Sequence, residues 1–212
     1  INTGKAIKGL SLVLLFLWVG LHTAFASIHQ VEAGHVGVLY TFQNITGQTG
    51  EGLQFIAPWQ RIRVESVQVQ NYSTEDLPRE LIRPIEKTEP AKEGETVTAV
   101  PKGHMGAFSK DNQDVFVKAT LNLKVSPEAI QWLYRNIGPK WREILVAPRF
   151  LNFMKEQTVL DEAVDLAPKR ELVRTAVRDR LKAELSQFSI DVVDLLIDNV
   201  DFDAPFKAAI QS

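Results

Sequence analysis

The 212-residue chain is 45% apolar and 24% charged, enough for one sizeable core or two smaller ones, so disorder is not the default. Its formal charge of -2 at pH 7 gives no bulk attraction to polyanions, which argues against nucleic acid as a partner. The lack of cysteine excludes disulfides, thiolate metal sites and cysteine nucleophiles.

In chain order, a short tail (1–8) comes first, and Ile1 in place of Met implies that a short N-terminal piece precedes this numbering. Residues 9–28 then carry no formal charge. At about 1.5 Å per residue, a helix of that length crosses the roughly 30 Å hydrocarbon core of a bilayer. Its anchoring side chains are Leu10, Leu14, Phe16, Trp18, Leu21 and Phe25. Trp18 at mid-span has two readings, a ring facing lipid and a helix–helix contact. Lys5 and Lys8 precede the span and the next lysine or arginine is Arg61, so the positive-inside rule puts the N-terminus in the cytoplasm or its organellar equivalent. The rival is a cleaved signal peptide. Lys5 and Lys8 make a basic n-region, and Ala24-Phe25-Ala26 before Ser27 fits the cleavage pattern, although the apolar run exceeds a usual h-region.

Residues 35–42 read as a buried strand. Asn44, Gly47, Gly50 and Gly52 supply turn chemistry before the apolar piece Leu53–Ile56, which closes a hairpin. A third strand is expected over 61–72, with a phase change at Glu65 and Ser66 that implies a bulge. Between Ser73 and Gly106 the prolines at 78, 84, 90 and 101 and the polar composition argue for an excursion loop carrying a short strand at 96–100. From Asp114 to Val125 every odd position is apolar and, Phe116 apart, the even ones are polar, so one face of a strand is buried.

Ser126-Pro127-Glu128 opens a helix that buries Ile130, Leu133, Tyr134 and Ile137 and stops at Gly138, with Ser126 as N-cap. A second helix spans 140–158 with a kink at Pro148. A third, 168–188, places Leu172, Ala176, Val177, Leu181 and Leu185 on its apolar side. Residues 190–202 form the closing strand, and Pro205 begins another helix. Strands first, helices after and a returning strand make an α+β domain.

Several of these pieces resemble the SPFH (band 7) superfamily, in its prohibitin-like form. The likeness rests on Val31-Glu32-Ala33-Gly34-His35-Val36-Gly37-Val38 at the opening strand and on Gly50-Glu51-Gly52-Leu53-Gln54-Phe55-Ile56-Ala57-Pro58-Trp59, similar to the family's Pro-Gly-x-His-Phe-x-x-Pro segment. It rests also on Ser109-Lys110-Asp111-Asn112-Gln113, similar to a Ser-x-Asp hairpin in the second half of the domain, and on 188–202 followed by Phe206-Lys207-Ala208-Ala209-Ile210, where family members leave for a coiled coil. The resemblance implies a first half over 29–73, a polar insertion at 74–106 longer than the prohibitin connection, a second half over 107–204 and the start of a coiled-coil helix at 205–212. It further implies a ring or cage of many copies, homo-oligomeric or alternating with a related SPFH subunit. Such an assembly organises a membrane microdomain and regulates membrane proteins such as an AAA protease. The expected setting is a bacterial inner membrane or a mitochondrial one, with membrane lipid as partner.

No phosphate loop, nucleophile elbow, His-Glu-x-x-His helix or dinucleotide turn occurs in the sequence, so neither catalysis nor a cofactor is expected. The spacing of His22, His29 and His35 across a helix-to-strand change does not converge like metal ligands. Two surfaces remain as candidates. Phe55, Ile56, Pro58 and Trp59 lie close in sequence to the span, as membrane contacts or as packed core. Arg170, Arg174, Arg178 and Lys182 recur every four residues opposite an acidic closing strand that includes Asp194 and Asp198. That pattern reads as a solvated helix face or as half of a head-to-tail subunit contact. If the span is instead a signal peptide, the remainder is a processed, soluble binding or chaperone module.

Overall fold

A computed structural model describes residues 3–82 and 100–211. The chain divides into two compact units, Ile1–Val67 and Gln68–Ser212. Within the first, α1 runs Thr3–Ala26, and its end is followed within two residues by strand β1 (Ile28–Val31). The apolar run is therefore helical only to Ala26, and Ile28 is already paired in a sheet.

Strand β1 pairs antiparallel with β4 (Gly52–Phe55), Ile28 opposite Phe55 and Val31 opposite Gly52. A second sheet has the order β3-β2-β5, with β2 (His35–Thr41) between β3 (Asn44–Thr49) and β5 (Gln60–Ser66). Val36 and Val38 of β2, with Val31 and Ile56, are buried. The hairpin thus differs from the one the sequence predicts. Strand β2 turns back through Phe42-Gln43 directly into β3, with Thr41 opposite Asn44, while the Leu53–Phe55 piece belongs to the other sheet. Phe42 (φ 48) and Gln43 (φ 74) adopt the left-handed backbone of a two-residue primed turn, which usually draws Asn-Gly; neither residue announces it. At Gly37 a Cβ would come within 2.9 Å of Ile62 and Thr49 on the flanking strands, so only glycine lets them close over the centre of β2.

The expected third strand is two strands. Strand β5 ends at Ser66, and β6 (Gln70–Ser73) pairs with β8 in the second unit, Tyr72 opposite Leu121. The phase change at Glu65 and Ser66 marks a departure from one sheet to another, not a bulge. A single turn of helix, α2 (Arg79–Ile82), follows; the strand expected at 96–100 lies mostly outside the described residues.

The second unit is built on β8 (Asp114–Val125), whose odd residues from Val115 to Val125 are buried as the alternation predicts. One edge of β8 takes β6 and then β7 (Met105–Phe108); the other takes β9 (Ile190–Phe202) along almost its whole length. Two bulges in β9, at Val193 and Asp198, bend the pair. Helix α6 (Arg170–Ser186) packs on β9, and α4 (Ala147–Thr158) packs on α6. The buried side of α6 is Val173, Val177, Leu181 and Leu185. Leu172, expected on that side, is 68% exposed. Arg174, one position beyond Val173, reaches Asp194 of β9 at 2.8 Å and helps fix this rotation.

Ser126 caps no helix with its side chain. A 3-10 turn (Pro127–Ala129) comes first, and α3 (Ile130–Asn136) ends where the N–H groups of Ile137 and Gly138 both donate to the Leu133 carbonyl, Gly138 taking φ 102. The kink expected at Pro148 is a π turn over Arg142–Val146. Proline has no N–H to give, and the turn before it widens, with the Ala147 N–H donating to the Arg142 carbonyl. A short helix, α5 (Ala163–Leu166), was not legible; α7 (Ala204–Gln211) follows β9.

The Ser109–Gln113 turn between β7 and β8 has a physical reason for its composition. The buried Ser109 hydroxyl donates to Asp111 Oδ1 (2.6 Å) and accepts from the Gln113 N–H (3.0 Å). Asp111 Oδ1 in turn accepts the Ala163 N–H (2.9 Å), serving the start of α5 from another loop. The Ser109 hydroxyl, helped by that amide, holds the Asp111 carboxyl below its usual range. A depressed carboxyl pKa contributes stability that is complete above the unfolded value and is lost as pH falls through the folded one. Acid unfolding below about pH 4 should therefore be shallower in Asp111→Asn. Ser109→Ala should cost about 1–3 kcal/mol in denaturant melts at neutral pH, because a buried hydroxyl bonded to both Asp111 and Gln113 is lost.

Candidate membrane-facing surface

Among the described residues one helix, α1, is long and apolar enough to cross a membrane, and none of its Gly9–Ala26 stretch is buried within the chain. Leu10, Leu14, Phe16, Trp18, Leu21 and Phe25 are each at least 54% exposed. The hydroxyl of Thr23 donates to the carbonyls of Val19 and Gly20 (2.9 Å each), and that of Ser27 to Thr23 (2.9 Å), so these polar groups are satisfied by their own helix.

The helix does not hang from a free linker. Ser27 donates its N–H to the Thr23 and Ala24 carbonyls, and its own carbonyl accepts the Ile56 N–H at 2.9 Å. With Ile28 opposite Phe55, this bond holds the Phe55–Trp59 tip beside the helix exit. Gln60 then gathers the neighbouring turns. Its Oε1 accepts the Ala57 N–H (3.0 Å), its N–H donates to the Ala57 carbonyl (2.8 Å), and its Nε2 donates to Thr41 Oγ1 (3.1 Å) next to Phe42. Three aromatic rings stand out from this end of the unit: Phe42 at 77%, Phe55 at 74% and Trp59 at 60% exposure.

Of the four tip residues singled out by sequence, Phe55, Pro58 and Trp59 are exposed. Ile56, at 6%, is core and leaves the set. Phe42 joins it, having been read as the last residue of a buried strand. No sequence signal marked it; only the positive φ at Phe42 and Gln43 reveals the turn.

The basic stripe finds its acids inside the chain. Arg174 bonds Asp194 and Glu171 (2.8 Å each), Lys182 lies 3.6 Å from Asp191, and Arg178 pairs with its neighbour Asp179. Asp198 accepts from Thr120, and Lys207 bonds Asp201 at 2.6 Å, holding that carboxyl below its usual range. Arg170 is exposed. The complementarity that pointed to a head-to-tail contact is thus met largely within one chain.

Little else has the makings of a chemical site. Burial, with Glu143 nearby, pushes the Tyr72 phenol up to about 12, so it holds its proton at neutral pH. Lys169 is raised by bonds to Asp161 and Asp165 and is thereby a structural cation. Among the described residues no group of three histidine or acidic side chains could hold a metal ion.

The profile of the SPFH domain / Band 7 family matches residues 29–212, beginning three residues after α1 and running through both units. The chain belongs to that family. It is similar over 99% of its length to Prohibitin-1 of Saccharomyces cerevisiae (24% identical over 214 residues, 64% of that protein) and to Prohibitin-1, mitochondrial, of Arabidopsis thaliana (26% over 217 residues, 64% of that protein). Prohibitin-2 of Dictyostelium discoideum is 25% identical over 198 residues, covering 92% of this chain and 57% of that protein. The chain therefore spans less than two thirds of the length of these relatives. Both alignments at 99% coverage include α1, so the likeness extends ahead of the SPFH domain itself.

Proposed function

We propose that this SPFH protein is a membrane-anchored, oligomeric scaffold. Helix α1 spans the bilayer with its N-terminus on the cytoplasmic or matrix side, and the two folded units stand on the other side. The observation that carries this reading is the direct bond between helix exit and domain, Ser27 to Ile56, beneath a helix with no buried residue in its Gly9–Ala26 stretch. The same observation weighs against a signal peptide, since the Ala24-Phe25-Ala26 pattern lies in the last helical turn and its next residue is hydrogen-bonded on both sides. One span per subunit is a modest tether. Many subunits joined together multiply avidity for the membrane and can fence a patch of it.

The similarity to prohibitins supports partners of the same kind: further copies of this chain or a related SPFH subunit, membrane lipid, and membrane proteins held within the ring, an AAA protease among them. No bond is made or broken in this function. Phe42, Phe55 and Trp59 rest in the interfacial layer, where an aromatic ring meets both apolar and wet surroundings. A nitroxide carried on Phe55→Cys or Trp59→Cys should be relaxed by oxygen dissolved in lipid. One on Arg63→Cys, along β5, should be relaxed by a water-soluble nickel complex.

The deciding experiment is particle mass. The native membrane is dissolved in mild detergent, and the protein is sized by chromatography with light scattering and imaged. A megadalton ring or cage with an intact N-terminus supports the scaffold. A monomer beginning at Ser27 overturns it in favour of a soluble binding module.

A further inference from the structure

Helix α1 carries a polar seam at heptad spacing. At 100° per residue, positions 11, 15, 18, 22 and 25 fall within an arc of about 80°, in the alternating steps of four and three that mark a packed helix seam. Four side chains between Gly9 and Ala26 can form hydrogen bonds: Ser11, Trp18, His22 and Thr23. Three of them, Ser11, Trp18 and His22, stand in that arc with Leu15 and Phe25 between them. The fourth, Thr23, lies outside it and bonds its own helix.

Trp18 and His22 are held together on this face. Their rings stack with centroids 5.4 Å apart and planes 9° from parallel. Stacking fixes both rings but satisfies neither polar edge, since the bonding groups of indole and imidazole lie in the ring plane. Among the described residues no hydrogen-bond partner meets the Trp18 or His22 ring nitrogens, and both side chains are exposed. In the membrane position proposed above, His22 sits about 6 Å and Trp18 about 12 Å inside the Ala26 end of the span. Lipid chains there offer no donor or acceptor, and an intramembrane group of this kind is retained where something pairs with it.

We infer that the seam of Leu15, Trp18 and His22 is a helix–helix contact and that its occupant is α1 of a second copy of this chain, in the same orientation. The inference rests on the anchor reading. Every copy enters the bilayer the same way round, because Lys5 and Lys8 lie at one end and the folded units at the other. In a same-way pair, equivalent residues meet at equal depth. Tryptophan offers a donor alone, whereas a neutral histidine offers one donor and one acceptor and so complements itself. The N–H of one His22 donates to the bare nitrogen of the other, and the second lone pair is left for a Trp18 indole N–H one turn away. The opposite face, with Val13, Phe16 and Gly20, has no such group and is left to lipid.

The absence of native cysteine permits a clean test. Single cysteines are placed at Ser11, Val13, Leu15, Phe16 and Gly20 of the full chain, which leaves Trp18 and His22 in place, and the protein is reconstituted in phosphatidylcholine vesicles at low protein density and oxidised. Disulfide dimers should form several-fold faster at 11 and 15 than at 13, 16 and 20. In the Leu15→Cys background, His22→Leu should lower the yield, and His22→Gln, which keeps a donor and an acceptor, should restore most of it. Uniform cross-linking, a maximum on the opposite face, or indifference to His22→Leu overturns the inference. Alkaline carbonate extraction of the same vesicles separates the two levels. Protein that stays in the pellet without a periodic pattern sinks the seam alone, and protein that washes out sinks the anchor as well.

Discussion

Phe150→Ala should lower the stability of the folded protein by about 3–5 kcal/mol, a large share of the 5–15 kcal/mol typical of a domain. Phe150 is fully buried, on the helix that packs against both α6 and β7. Its removal forfeits the transfer free energy of the ring and leaves a cavity that a sheet-backed helix layer cannot collapse to fill. Denaturant melts of the detergent-solubilised chain read the cost, with Leu172→Ala as the internal comparison. Leu172 is of similar hydrophobicity but is 68% exposed, so its loss should stay within about 0.5 kcal/mol. Equal costs at the two positions would mean that α6 is rotated by one residue from the arrangement described.

That rotation shows where sequence reading reaches its limit. Leu172 and Val173 are adjacent and both apolar, and the remainder of the helix fits a stripe starting from either. The choice falls to Arg174, whose reach to Asp194 turns Val173 inward. A contact 20 residues away in sequence is invisible to a pattern with a period of 3.6. By contrast, the bounds of β8 and β9 were legible to the residue, and in β8 alternation over a dozen positions specifies the buried face as well, whereas the bulges at Val193 and Asp198 break the alternation in β9. Strand β3 was not. Asn44-Ile45-Thr46-Gly47-Gln48-Thr49 has one apolar residue and a composition that favours turns, and it is a strand because β2 offers it partners. The break between β5 and β6 left a trace in the sequence, a change of phase, but one that a bulge and a change of sheet produce alike.

For the surface the lesson is similar. The Phe55–Trp59 segment was legible as a feature, yet its sorting into exposed Phe55 and Trp59 and buried Ile56 needed the Ser27–Ile56 bond and the strand register. Phe42 could be found only through its backbone, since nothing in Thr41-Phe42-Gln43-Asn44 marks a primed turn. The acidic and basic residues of β9 and α6 were legible as complementary. Whether complementary charges meet within a chain or between chains is a matter of distance, which composition does not encode.

Leu14→Arg combined with Leu17→Arg should release the protein from the membrane. Each arginine near the middle of α1 costs about 3–4 kcal/mol of insertion relative to leucine, and the two stand on the same side of the helix, too far from either end for both to reach the headgroups. Under alkaline carbonate the parent chain is expected in the pellet and the double variant in the supernatant, with the large particle lost as its shared tether disappears. Leu14→Ala with Leu17→Ala controls for lost bulk and should remain in the pellet. The comparison also decides between the two readings of the N-terminus. A chain cut after Ala26 would be soluble and begin at Ser27 before the substitutions, whereas the double variant, its apolar run broken, would stay uncut. A chain held by α1 is bound in one case and free in the other, with its N-terminus intact throughout. If the double variant stays in the pellet at full length, α1 is not what holds the protein and the anchor reading fails, since the three rings of Phe42, Phe55 and Trp59 expose far less apolar surface than the Gly9–Ala26 stretch and would not by themselves survive carbonate.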